Sequence, residues 1–236
     1  MTKMSKSAAA FITAIAMCGL VIFGYAVLHF HGNDTTRFLS LLVVALVAAR
    51  LKLKLPGLTG NMSVNLPFII LGVVELGLLQ TLIIACASTL VQSLKKPAGQ
   101  IQWLQVGFNF FNMALSVGIA HYGFHHAMRE SNAFAATLRI GLAAGILFLA
   151  NTVSVSAIIS LTEAAKMARV WYEIFLWSFP YYVLSAGVAS AFSSLNHHFG
   201  LLIPLLVLPL MFGIYHCYKT YFGSRSGGFA PVAVMN

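Results

Sequence analysis

Residues 55–68 read LPGLTGNMSVNLPF, with two prolines, two glycines and two asparagines packed into fourteen positions of an otherwise apolar chain. Immediately before them, Leu51 to Leu55 alternate leucine with lysine, the pattern of an extended segment with one apolar and one basic face. Pro56 and Gly57 suit a turn, Gly60 and Asn61 tolerate left-handed backbone, and Asn65 stands where a helix cap belongs, ahead of Leu66 and Pro67. Irregular backbone of this kind cannot face hydrocarbon, because its N–H and C=O groups would have no partners. The stretch therefore predicts an interfacial or inward-folded link that starts a short helical hairpin.

The surrounding composition makes hydrocarbon the relevant solvent. Of 236 residues, 59% are hydrophobic and 8% charged, the mean hydropathy is +0.87, and the apolar residues fall in runs too long for soluble strands. The expected architecture is an all-α polytopic membrane bundle of about eight helices, near 8–30, 38–50, 65–77, 79–94, 101–121, 134–160, 171–194 and 200–222. Residues 1–222 form one transmembrane domain and 223–236 a flexible tail. The basic start MTKMSKS precedes an apolar run longer than a signal-peptide core, so it reads as an uncleaved first span.

Joining the third and fourth spans would give a helix of about 30 residues and roughly 45 Å, more than the hydrocarbon core needs. The basic residues favour a break. With eight spans and an inner N-terminus, Lys3, Lys6, Arg50, Lys52, Lys54, Lys95, Lys96, Lys166, Arg169, Lys219 and Arg225 fall inside, against Arg37, Arg129 and Arg139 outside. Both chain ends are then cytoplasmic. The net charge of +9 is distributed as topology signals and contacts to anionic lipid, not as a nucleic-acid surface. The same orientation collects His29, His31, His121, His125, His126, His197 and His198 at the outer end, leaving His216 near the inner one.

Polar groups inside spans are costly and so mark candidate sites. Glu75 is the one acidic residue deep in an apolar run. Asn109 and Asn112, with Gln105 and Ser116, follow helical spacing along one face of the fifth span. Asn151 and Ser154 lie in a polar patch of the sixth span, and Tyr181 follows Pro180, which is expected to interrupt the seventh. Glu75, Asn109, Asn112, Asn151, Ser154 and Tyr181 are thus the candidate ligand-binding residues, against the alternative that intramembrane amides merely bridge helices.

No metal site or cofactor is expected: His121 and His125 share a helical turn, but no cysteine or carboxylate cluster joins them, and Cys18, Cys86 and Cys217 read as small core residues. No HExxH, GxSxG, P-loop or paired-carboxylate pattern is present, which points away from an enzyme.

The run from Arg50 to Leu94, with QVGFNFFNMALSVGIA, ANTVSVSAIISL and WSFPYYVLSAG, resembles the multi-pass N-terminal membrane module that precedes HD-GYP or GGDEF domains in bacterial signalling proteins, although no such output domain follows here. That resemblance implies a non-enzymatic sensor-like module of the bacterial inner membrane, with lipids, a small-molecule ligand and a signalling protein as partners. More distantly, the basic inner loop, extended link and Pro-Phe start of a short hairpin look like the substrate-binding S-components of energy-coupling-factor transporters. That likeness implies, as the alternative, a vitamin-class solute binder or small permease with a transporter partner. A ligand-free anchor or assembly protein is the third reading.

Overall fold

The computed structural model describes residues 5–30, 34–54, 61–94, 102–126, 133–163, 165–199 and 213. Helix α1 runs Lys6–Leu28, capped by Ser5, whose hydroxyl accepts from the Ala8 N–H at 3.1 Å. Its buried residues, Ala8, Ile15, Gly19 and Ala26, repeat at sevens and fours along one narrow stripe. Met17, Val21 and Leu28 stay more than half exposed on the rest of its surface. Helix α2, Thr35–Ala49, begins three residues before the expected 38, because the Asp34 carboxylate accepts from the Arg37 N–H at 3.2 Å and nucleates the first turn.

Lys52–Lys54 (β1) is extended as its alternation predicts. It also pairs, antiparallel to Asn61–Ser63 (β2), with Lys52 opposite Ser63 and Lys54 opposite Asn61. The alternation spoke only to one strand's faces; the partner lies across residues 55–60, which are outside the described residues. Val64 then donates its N–H to the Leu51 carbonyl at 3.2 Å, closing the hairpin onto the end of α2.

Helix α3, Leu66–Glu75, and helix α4, Leu78–Leu94, form the expected short hairpin, separated only by Leu76 and Gly77. Asn65 precedes α3 but makes no side-chain cap bond: it adopts helical backbone angles (φ −85°, ψ −9°), whereas a capping side chain needs extended ones. Pro67 occupies the first turn, where its missing N–H leaves no gap. The turn is held by Thr81, whose hydroxyl meets the Gly72 carbonyl at 2.7 Å and the Gly77 carbonyl at 3.0 Å. Helix α3 is buried nearly all round, with Phe68, Ile69 and Ile70 at 1% exposure or less.

Helices α5 (Trp103–His126) and α6 (Ala133–Glu163) follow, and α5 packs on α1, α4 and α6. After α6 come a single turn α7 (Met167–Val170), a π-helical turn (Trp171–Phe175), a 3-10 turn (Leu176–Ser178) and α8 (Phe179–Phe199). The irregularity falls before Pro180 and not at it. Pro180 is the second residue of α8, where no intrahelical donor is required, so the chain relaxes its winding upstream and restarts cleanly. The eighth expected span, 200–222, lies outside the described residues apart from residue 213.

Contacts between helix ends show that α6 runs antiparallel to both α1 and α8. Ser5 at the start of α1 donates to Leu161 near the end of α6, and Thr137 near the start of α6 meets Ser190 near the end of α8 at 3.0 Å. Among the described residues, Lys6–Leu28 and Ala135–Glu163 are long and apolar enough to cross a membrane. Among the described residues the fold is therefore helical apart from one small hairpin, with its core on α3 and the facing sides of α4, α5, α6 and α8.

Candidate functional site

Among the described residues, two polar centres and a cleft stand out in this bundle. The first centre lies at the end where α3 turns into α4. Glu75, the last residue of α3, accepts from Arg37 Nη1 at 2.9 Å and from the Ser193 hydroxyl at 2.7 Å. Its carboxylate joins α2, α3 and α8 at one point. The side chains of Arg37 and Glu75 are 30% and 16% exposed, so the pair is partly desolvated.

Helix α5 closes the same end. A helix terminus leaves its last carbonyls without intrahelical donors, and here two imidazoles supply them: His125 Nε2 lies 3.2 Å from the Val73 carbonyl and His121 Nε2 lies 3.4 Å from that of Leu76. The i, i+4 spacing that placed both on one turn of α5 thus serves the end of α3. Arg139 of α6 sits over the Phe124 ring at 5.5 Å, adding a second cation beside the histidines.

The second centre is midway along the bundle. Asn112 Nδ2 donates to Asn151 Oδ1 at 2.8 Å, and Asn151 Nδ2 donates to the Tyr182 hydroxyl at 3.3 Å, linking α5, α6 and α8. Asn112 is 1% exposed, and its Oδ1 has no hydrogen-bond partner among the described residues, leaving it able to accept from a water or a ligand donor. Next to it, Trp171 Nε1 donates to the Thr152 hydroxyl at 3.0 Å, tying the π-helical turn to α6.

The six sequence-derived candidates therefore separate. Asn112 and Asn151 come together, and Tyr181 is buried close by, against the Leu66 backbone at the start of α3. Glu75 belongs to the other centre. Ser154 turns its hydroxyl to the Ala150 carbonyl of its own helix at 2.8 Å. Asn109 is only half-buried and Gln105 exposed, because the stripe climbs α5 toward its exposed start, while Ser116 bonds the Asn112 carbonyl of its own turn.

The cleft has a volume of about 580 Å3 and lies between α1, α5 and the α3–α4 turn. Val21, Ile22 and Tyr25 form the α1 wall, and Gly77, Leu78 and Leu79 the floor at the turn. Helix α5 contributes Ile119, His121, His125 and His126. None of the six candidates lines it. Sequence reasoning collected its histidines at one end and set His121 and His125 on one helical turn, but gave them no site, and it did not pair Arg37 with Glu75. Both assignments were within reach, since the span count placed Arg37, Glu75 and the histidines together. Among the described residues no group of three or more His, Cys, Asp or Glu side chains is arranged to hold a metal ion.

No family model, curated protein or solved structure matches the chain.

Proposed function

We propose that the chain is a multi-pass protein of the bacterial inner membrane, with a cytoplasmic N-terminus, that binds a lipophilic small molecule and reports its presence to a partner protein without catalysing a reaction. The observation that carries this reading is the cleft: about 580 Å3, walled by apolar side chains and edged by a few convergent polar groups, which is the make-up of a small-molecule site. The wide apolar exposure of α1 supports the membrane part, since Met17, Val21 and Leu28 stay more than half uncovered by the protein. Charge supports the orientation. Of the three basic residues assigned outside, Arg37 is engaged by Glu75 and Arg139 by Phe124, so neither weighs against the inner excess of lysine and arginine.

Binding at the cleft would bear on α1, the α3–α4 turn and α5 together, and the Glu75 centre lies two residues from Gly77 in the cleft floor. A ligand there can bias how α2 and α8 meet the turn, which is the physical content of sensing. The test is native mass spectrometry of the gently purified protein, with thermal-shift screening of a lipophile panel. A co-purifying lipophilic mass, or a panel member that raises the melting temperature in a concentration-dependent way, is expected; absence of both refutes ligand sensing.

A further inference from the structure

The three α5 histidines at the cleft have their tautomers set by their neighbours. A backbone carbonyl can only accept, so the ring nitrogen facing it must carry the proton. That nitrogen is Nε2 in His121 (to Leu76) and His125 (to Val73), and Nδ1 in His126, which lies 3.0 Å from the Tyr122 carbonyl. In each neutral ring the remaining nitrogen, Nδ1 of His121 and His125 and Nε2 of His126, is a lone pair that no described protein donor satisfies. What these rings offer to the cleft they line is therefore acceptors, set against the apolar walls of Val21, Ile22, Leu78, Leu79 and Ile119.

From this juxtaposition we infer that the cleft selects lipophilic molecules carrying a hydrogen-bond donor, of the alcohol or phenol class, over equally lipophilic molecules that only accept. The inference rests on the ligand-binding reading above and narrows it to a chemical class. An apolar body of drug-like size fills the space between α1 and α5, and its hydroxyl donates to an imidazole lone pair at the turn. A ketone or ether in the same place would meet lone pair with lone pair, and the hydroxyl's hydrogen bond would be lost with no substitute. The other polar side chains of the cleft do not change this preference: Tyr25 and Tyr122 have hydroxyls that serve either partner, and His29 turns its Nδ1 to the Tyr25 carbonyl at 2.9 Å.

The experiment uses the full chain in detergent at pH 8, above the ordinary imidazole range, and titrates a long-chain 4-alkylphenol against its O-methyl ether. Ile119→Trp, at a residue that is 44% exposed and lines the cleft, fills the space and supplies the baseline for micelle partitioning. The phenol is expected to bind about three- to tenfold more tightly than the ether, with binding of both lost in Ile119→Trp. His126→Phe keeps the ring stack on Tyr122, with centroids now 4.0 Å apart, and is expected to shrink the phenol preference while retaining the fold. Equal affinities that still vanish in Ile119→Trp overturn the donor preference and leave ligand binding standing. Phenol binding that survives both substitutions overturns the cleft assignment. Failure of both probes, together with a lipophile panel that shifts nothing, removes the ligand-binding reading itself.

Discussion

At the scale of single residues, Glu75 shows how a costly group is made tolerable. A carboxylate near the end of an apolar helix is accommodated because Arg37 and Ser193 converge on it from two other helices. Removing one partner strands the other charge, so Arg37→Met or Glu75→Gln is expected to destabilise by about 1–3 kcal/mol, discounted from the fully buried case because Arg37 is 30% exposed. The double variant is expected to cost less than the sum, and a thermodynamic cycle by chemical denaturation that returns no coupling energy would show the pair to be incidental. The two interhelical amides and the serine offer a contrast. Asn112→Ala breaks the bond to Asn151 and is expected to cost about 0.6–1.7 kcal/mol, the range for interhelical hydrogen bonds in membranes. Ser154→Ala loses only a bond within its own turn and should stay within about 0.5 kcal/mol of the parent in the same assay.

At the scale of elements, the α3–α4 hairpin and the α1–α5 crossing position the cleft. The hairpin turn depends on Thr81, whose hydroxyl reaches carbonyls at both ends of the break. Thr81→Val keeps the shape and removes the donor, and is expected to lower stability by about 1–2 kcal/mol and to speed hydrogen exchange at Leu76 and Gly77. The crossing depends on close approach at Gly19, where an added Cβ would lie 3.1 Å from both the Phe111 carbonyl oxygen and its Cβ. Backbone cannot swing aside as a side-chain tip can. Gly19→Val should therefore push α1 off α5, costing about 1–3 kcal/mol, and should weaken binding at the cleft that α1 walls. A melting temperature and probe affinity both unchanged by Gly19→Val would contradict that packing account.

At the scale of the whole molecule, the proposed membrane orientation predicts the sidedness of the loops. With Cys18, Cys86 and Cys217 replaced by serine, a cysteine at Ser131 should react with a membrane-impermeant maleimide on intact cells, and one at Ala164 only after permeabilisation. The reverse pattern would overturn the proposed orientation.

Much of the helical layout was legible in the chain. The apolar runs mark α1 and α6 because a helix in hydrocarbon must be apolar over its whole length. The Lys–Leu alternation marks β1, and the spacing of basic clusters between apolar runs points to the α3–α4 break, because hydrophobicity and charge are local properties that need no partner to be read. Hydrogen-bond partnership is different: it depends on which helix ends meet. Leu51–Leu55 revealed an extended strand but not its pairing with Asn61–Ser63, Asn65 had a capping residue's identity but not its backbone angles, and Pro180 marked a disturbance whose place was upstream. The sequence by itself determined that this is an apolar helical chain with a broken hairpin after LPGLTGNMSVNLPF and polar residues to accommodate. Only the tertiary structure decided that Glu75 joins Arg37 and Ser193, that Asn112 joins Asn151, and that the histidines of α5 cap α3 while edging a cleft. Those contacts join positions from 38 to 118 residues apart, and directional bonds at that separation are set by packing and not by composition.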